Sequence, residues 1–439
     1  MNKYHLAIIL SCLTPILCAS THDAAATTFT LHDGPSCTAL GGFWNGIATC
    51  FVNTITVSSS NELIISSGTN LVLNDVSNLE NFGKVNIHSG ATLGSGDGSK
   101  INNHKGGTIN NQGTIAYSEA LLDNNGTINN KGTVGSANGP LVNGKTGTIN
   151  NSGSIDIGSD FFYNYGKINN SGTITSSGES AEFTNTGTLN NSQPGTLTIT
   201  SGNTLDNSGK INNAGTINYQ GGHSPSSSTD KTTVTNSGTI NNNGQFLSDD
   251  NFPSIFTNTV KGKINNQGTL DGGADFENYG SVNIGTTGVL YAASGGQVIN
   301  HLGGVIGNKG EFSLGENGLA NDGKINNSGT LQISNFGMSN NPGGVINNLS
   351  GGIISNEATS VSFNKGTINN QAGAIINNKQ QSTITNTGGL VNNYGTINNE
   401  NDAPGASTFD NTGGTVKDIC GGVFNNAGTF LGNAIVITC

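Results

Sequence analysis

Leu122-Asp123-Asn124-Asn125-Gly126-Thr127-Ile128-Asn129-Asn130-Lys131-Gly132-Thr133-Val134 states one phrase twice: apolar, x, Asn, x, Gly, x, apolar. Its apolar residues Leu122, Ile128 and Val134 return every six positions. An amphipathic helix needs returns at three and four, so the spacing excludes helix here. The double phrase recurs from Phe162 through Ile168 to Ile174, from Leu205 through Ile211 to Ile217, from Val234 through Ile240 to Phe246 and from Leu319 through Ile325 to Leu331. A variable stretch follows each copy. Disorder would not keep such a phase.

A longer period contains the short one. The central residues Ile128, Ile149, Ile168, Leu189, Ile211, Ile240 and Ile264 are separated by 21, 19, 21, 22, 29 and 24 positions. Self-similarity at this length means a solenoid, whose units bury their apolar faces only by stacking. The expected fold is all-β, a right-handed parallel β-helix with about 20 residues and three short strands per coil. Roughly eighteen coils at 4.8 Å give a rod near 85 Å long.

Each residue of the phrase then has an expected task. The apolar residue points inward, and Gly supplies an unusual backbone angle at the bend. Asn at the third position tolerates a left-handed conformation, and its amide bonds to the equivalent Asn one coil away. The ladder asparagines expected on this basis are Asn124, Asn130, Asn151, Asn164, Asn170, Asn185, Asn207, Asn213, Asn236, Asn242, Asn266, Asn278, Asn321 and Asn327.

Composition agrees with a repeat scaffold. The 439 residues include 67 Gly and about 70 Asn, while Leu, Ile, Val and Phe make up roughly 23 %. The formal charge is −11 and the chain has no arginine, the side chain best suited to phosphate and guanine. With no basic stripe either, nucleic acid is excluded as a partner.

Lys3 and His5 open a short basic segment, and Leu6 to Cys18 form an apolar run of signal-peptide length. Residues 1–20 are read as a leader, with cleavage as late as Ala26. Cys12 and Cys18 bring a lipoprotein site to mind, but Leu17 is poorly suited to precede a modified Cys18. No other run approaches the twenty apolar residues of a membrane span, so none is expected in the mature chain. Four cysteines follow the leader: Cys37, Cys50, Cys420 and Cys439. Local pairs Cys37–Cys50 and Cys420–Cys439 are expected outside the cell, each worth about 3 kcal/mol in the chain-entropy model. Residues 27–50 then form a stapled N-terminal cap, 51–418 the β-helix and 419–439 a C-terminal cap, because open sheet edges recruit other chains. Interruptions at Tyr219–Thr233, Ser248–Asn251 and Asn401–Ser407 read as protruding loops.

Gly-Thr-Ile-Asn-Asn at 107–111, 126–130, 147–151, 366–370 and 395–399 resembles the repeats of secreted parallel β-helix surface proteins of archaea and bacteria, solenoids of the pectate-lyase-like type. The Cys-x-x-x-Gly-Gly-x-Trp stretch at 37–44 is similar to a short module near the start of some archaeal exported proteins. The resemblance implies a cell-surface structural role, adhesion or polysaccharide contact. It concerns architecture, and a scaffold does not specify chemistry.

Catalysis finds little support in the residues. Pectate-lyase-like sites combine clustered carboxylates with a basic residue that is often Arg, which is absent here. Asp249 and Asp250 are the adjacent acidic pair after the leader, without a recognisable partner, and glycosidases need two carboxylates at fixed separation. The seven histidines are isolated in sequence, and no spacing suits a metal or other cofactor. Outward-facing Thr and Asn make a flat stripe, broken by Lys167, Lys210, Lys263 and Lys324. Tyr165, Tyr279 and Tyr394, each just before Gly, are candidates for glycan contact. Sequons begin at Asn125, Asn150, Asn169, Asn190, Asn326 and Asn348.

The expected function is therefore an exported or cell-surface structural and adhesive rod, non-enzymatic, with surface polysaccharide or copies of itself as partners. The alternative is a glycan-binding or polysaccharide-degrading β-helix, a lyase or hydrolase.

Overall fold

The computed structural model describes residues 26–439 apart from 137, 179, 201, 221–230, 249–253, 274, 293–295 and 315–317. The leader, the Gly221–Ser228 loop and the Asp249-Asp250 pair lie outside the described residues. The fold is a parallel β-solenoid of about 17 coils, with three strands and about 22 residues per coil. The coil is slightly longer than the 20 residues expected from sequence, because in many coils one or both of the first two corners lengthen from two residues to four and the third corner varies throughout.

One coil explains the rest. Leu121–Asn124 lies on a first face, Thr127–Asn130 on a second and Thr133–Ser136 on a third. Each pairs in parallel with its counterpart one coil on: Leu122 with Leu141, Ile128 with Ile149, Val134 with Ile155. Asn125-Gly126 turns the chain from face 1 to face 2, and Lys131-Gly132 turns it from face 2 to face 3. The double phrase is therefore one passage across three faces and two tight corners. The third corner, back to face 1, is the variable stretch. Tight-corner backbone is satisfied by the coil beneath, as buried peptide groups require. Asn125 and Gly126 N–H both donate to the Asn103 carbonyl, at 2.7 and 3.0 Å, and Lys131 and Gly132 N–H to that of Asn111, at 2.8 and 3.2 Å.

The strands alternate half-buried and buried residues, so each coil sends one apolar side chain inward from each face. Burying each is worth about 1.5–3 kcal/mol. Aromatic side chains widen the middle of this core: Phe256 lies against Phe276 at 5.2 Å, and the Tyr219 hydroxyl donates to the Asp271 carbonyl at 2.6 Å.

Beside the apolar columns run columns of buried asparagine. On face 1 an unbroken column joins Asn81, Asn103, Asn124, Asn143, Asn164, Asn185, Asn207, Asn236, Asn258, Asn278, Asn300, Asn321, Asn340, Asn364, Asn386 and Asn411. Each Nδ2 donates to the next coil's Oδ1, at 2.8 Å between Asn143 and Asn164 and at 2.6 Å between Asn164 and Asn185. Face 2 carries a second column from Asn111 through Asn130, Asn151, Asn170, Asn191, Asn213 and Asn242 to Asn266, resuming from Asn308 through Asn327 to Asn393. The second N–H of nearly every inner amide meets a backbone carbonyl where the next coil begins its following strand, as Asn130 does with Ser154 at 2.9 Å. That carbonyl fixes which way the amide points, and so fixes the direction of the whole column.

Two expectations about the phrase need correcting. The ladder asparagines lie in extended strands, not in the left-handed region. The tight-corner glycines are not needed for their backbone angle either. A Cβ on Gly132 would sit 2.0 Å from the Gly113 carbonyl oxygen, and one on Gly153 would sit 2.1 Å from that of Gly132. Proximity of the coil beneath is what demands glycine there. Positive φ belongs to the longer corners, as at Gly106, φ +92°, where a side chain would meet open space.

The ends differ. Thr28–Leu31 joins face 2 beside Glu62–Ile65, followed by the short helix Gly34–Ala39, whose N-cap Asp33 accepts from Ser36 N–H at 2.9 Å. Cys37 and Cys50 are disulfide-bonded, and Phe43–Trp44 folds antiparallel onto Thr49–Val52. At the other end Val423–Asn426, Thr429–Gly432 and Val436–Thr438 continue the three faces in parallel, and Cys420 pairs with Cys439. No helix among the described residues is long and apolar enough to cross a membrane.

Candidate functional site

The outer surface departs from its repetitive Thr, Ser and Asn at several places, and one group lies on the edge between faces 1 and 2. The residue before the corner glycine there is usually small and polar, as at Asn125, Thr186, Ser208 and Ser237. Phe82, Tyr165 and Tyr279 occupy the same place on their own coils. Phe82 and Tyr165 are 41 % and 42 % exposed, far from the burial that core packing gives a ring.

Two of these aromatics belong to matching clusters. The Phe82 ring stacks on His104 of the next coil, with centroids 4.0 Å apart and planes 3° apart. The His104 Nε2 lies 2.6 Å from Glu80 Oε2, and Asn102 Nδ2 donates to Glu80 Oε1 at 2.9 Å. Partial burial disfavours the Glu80 charge, but the His104 and Asn102 hydrogen bonds prevail and hold its carboxyl below the usual range. Further along, Tyr279 stacks on His301 at 3.8 Å and 5°. There the Tyr279 hydroxyl donates to Glu277 Oε2 at 3.3 Å, and His301 Nε2 lies 3.9 Å from that oxygen. Burial, then the Glu277 charge, raise the Tyr279 phenol, keeping it a donor.

Between them Tyr165 ends a row of outward rings on the strand Phe161–Asn164. Phe161 and Tyr163 are parallel within 6° at 5.5 Å, and Tyr163 and Tyr165 within 26° at 6.2 Å. Tyr394 is elsewhere, on the edge between faces 2 and 3, with Asn347, Asn369 and Gln371. The three candidate tyrosines therefore do not form one group: two share an edge and the third does not.

Edge 2–3 has its own feature, a shallow groove of about 420 Å³ along Asn110, Asn129, Asn150 and Asn169. These outer asparagines are tied to one another, each Nδ2 donating to the coil beneath, as Asn129 does to Asn110 at 2.8 Å. Their direction is opposite to that of the inner column. On face 2 the outer column ends below on a carboxylate, where Asn86 donates to Glu62, and the upper inner column ends above on another, where Asn393 donates to Asp418 at 2.6 Å; the face 1 column ends on the Asn433 carbonyl. Hydrogen bonds from Lys84 and Asn86 lower the Glu62 carboxyl. The outward Asn stripe is thus largely self-satisfied.

Every asparagine expected in the ladder lies in one of the inner columns, Asn124, Asn164, Asn185, Asn207, Asn236, Asn278 and Asn321 on face 1 and Asn130, Asn151, Asn170, Asn213, Asn242, Asn266 and Asn327 on face 2. Of the sequons, Asn348 is fully buried with its Nδ2 donating to Asn370 and Ile375, so it presents no acceptor for a glycan. Glu80, Phe82, His104, Glu277, His301, Phe161 and Tyr163 were missed in sequence. The available signal was the near-repetition of Leu79-Glu80-Asn81-Phe82-Gly83 as Phe276-Glu277-Asn278-Tyr279-Gly280. Among the described residues no three His, Cys, Asp or Glu side chains gather as metal ligands.

No family model matches the chain, and no curated protein matches its sequence. Among solved structures it is similar to one described as the TibC-catalyzed hyper-glycosylated TibA55-350 fragment. Identity is 14 %, the match covers 94 % of this chain and 100 % of that one, and the TM-score is 0.24.

Proposed function

We propose that the chain is an exported structural and adhesive rod, held at the cell surface or shed from it, and not an enzyme. The observation that carries this reading is continuity: about 17 coils share one core, and the face 1 amide column runs unbroken from Asn81 to Asn411. Such a body holds surface groups at fixed distances along its length, which suits spanning and contact. The apolar run Leu6–Cys18 supports export. The partners proposed are surface polysaccharide or other copies of the chain.

The Glu80 and Glu277 clusters lie nine coils apart, roughly 43 Å, so these two carboxylates do not act together on one glycosidic bond, which needs a pair within ~10 Å. Antibody labelling of intact producing cells, with N-terminal sequencing of the mature chain, tests export. Surface or medium signal from a chain starting between residues 21 and 27 is expected. Retention inside the cell with Met1 in place would sink the reading.

A further inference from the structure

The two Glu–aromatic–His clusters belong to a longer unit that occurs twice. Leu79-Glu80-Asn81-Phe82-Gly83-Lys84-Val85-Asn86-Ile87 matches Phe276-Glu277-Asn278-Tyr279-Gly280-Ser281-Val282-Asn283-Ile284 at Glu, Asn, Gly, Val, Asn and Ile. In each copy the histidine follows its aromatic partner by 22 residues, within Asn103-His104-Lys105-Gly106-Gly107 and Asn300-His301-Leu302-Gly303-Gly304. This is a two-coil cassette, and both copies depart from the generic coil in the same ways.

The fold does not require those departures. Small polar residues make the same corner elsewhere, with the same backbone hydrogen bonds: Thr186 and Gly187 N–H donate to Asn164, just as Phe82 and Gly83 N–H donate to Val57. The second cassette also interrupts the inner column on face 2, where Ile284 stands above Asn266; in the first, Ile87 continues the apolar run of Leu31 and Ile65, and the column starts at Asn111 above it. Residues that break a local rule in the same way twice, with side chains partly exposed, mark a site rather than a packing solution.

We infer that edge 1–2 is a multipoint binding site for a linear hexopyranose glycan, with the cassettes at Phe82 and Tyr279 as its two main contacts. This inference rests on the adhesive reading and gives it a ligand class and an address. Each cassette offers part of what a pyranose needs. An aromatic ring, 41 % exposed at Phe82 and partly buried at Tyr279, meets the apolar C–H face of the sugar, while the partly exposed carboxylate beside it accepts from the hydroxyls. The imidazole stack in both, the His104–Glu80 pairing in the first and the Tyr279–Glu277 hydrogen bond in the second hold these groups in place before a ligand arrives, which lowers the cost of binding. The Phe161–Tyr163–Tyr165 row lies on the same edge, four coils above the first cassette and five below the second, and supplies an intermediate contact. The span of roughly 43 Å makes the ligand a polymer, and engagement of two cassettes by one chain raises avidity through effective concentration.

The test uses the mature full chain on an array of immobilised neutral gluco-, manno-, galacto- and N-acetylglucosamine oligomers of graded length. Binding that strengthens with oligomer length is expected for at least one series. Phe82→Ala and Tyr279→Ala each weaken it by on the order of tenfold or more, and the double variant abolishes it. Phe82→Tyr and Tyr279→Phe, which keep the rings, retain binding and report that the fold is intact. Tyr394→Ala, on the other edge, leaves binding unchanged. Failure of every oligomer series to bind, or full binding by a folded double variant, overturns the inference. Equal adhesion of the double variant and the parent chain to producing cells would remove the glycan site while leaving the adhesive rod standing. Loss of export fails the parent reading independently.

Discussion

Asn164→Asp is expected to cost about 4 kcal/mol at neutral pH, although it exchanges a single NH2 for oxygen. Asn164 is fully buried in the middle of the face 1 column. Its Oδ1 accepts from Asn143 at 2.8 Å, and a carboxylate there would still accept. Its Nδ2 donates upward to Asn185 Oδ1 at 2.6 Å and to the Thr188 carbonyl at 3.3 Å. In the variant three oxygens face one another with no hydrogen between them, and a charge is buried as well. That environment raises the folded-state pKa of the new carboxyl above its unfolded value of about 3.9. The deficit is therefore absent below the unfolded pKa and grows as pH rises, until the folded pKa is passed. Melting curves between pH 4 and 7 should show the variant approaching the parent chain as pH falls, because the neutral acid donates one hydrogen to Asn185. The chain already contains the counterexample. Asp418 ends the face 2 column, where it accepts from Asn393 and no amide above awaits a donor. Asp418→Asn should shift stability by less than about 1 kcal/mol.

Gly132→Ala is expected to cost about 3–5 kcal/mol, against about 1–2 kcal/mol for Gly106→Ala. The methyl added at position 132 would sit 2.0 Å from the Gly113 oxygen and 2.8 Å from the Gln112 carbonyl carbon, both backbone. To make room, neighbouring coils must part where Thr133 N–H donates to that same Gly113 oxygen at 2.9 Å. At Gly106 the methyl meets nothing within 4 Å, and the cost is the left-handed φ of +92° alone. Denaturant midpoints of the two variants give the comparison. Equal losses would return the tight-corner glycines to a conformational role. Because solenoids unfold by neighbouring units, hydrogen exchange at the substituted coil locates the damage better than one global midpoint.

Much of the architecture was legible because two of the three corners are only two residues long in many coils. There that constraint gives the six-residue spacing of Leu122, Ile128 and Val134, while other coils lengthen these corners to four residues, as at 104–107 and 192–195, and the third corner varies throughout. The inner column was legible at Asn124 and Asn130 because a buried polar side chain in a stack needs its own kind above and below. What sequence hid was anything defined by register between coils. Phe82 and His104 are 22 positions apart and 4.0 Å apart as rings, and the histidines looked isolated for that reason. The tight-corner glycines were given the wrong reason by the same blindness, since the carbonyl that excludes a side chain at Gly132 belongs to the coil beneath. Tyr394 shares the pre-glycine position of Tyr165 and Tyr279, yet the phrase alone cannot say which of two tight corners a glycine occupies.

The inner asparagine amides, hydrogen-bonded from coil to coil, hold the rod together, and side-chain amide hydrogen exchange of the folded chain tests this directly. Inner amides from Asn103 to Asn386 on face 1, Asn321 apart, should exchange as slowly as the strand backbone around them, since both N–H groups are engaged and the residues are buried. The outer amides of Asn110, Asn129 and Asn150 should exchange much faster, each leaving an N–H toward solvent. Inner amides that exchange as fast as the outer ones, while the backbone stays protected, would contradict this role and leave the apolar columns to hold the rod alone.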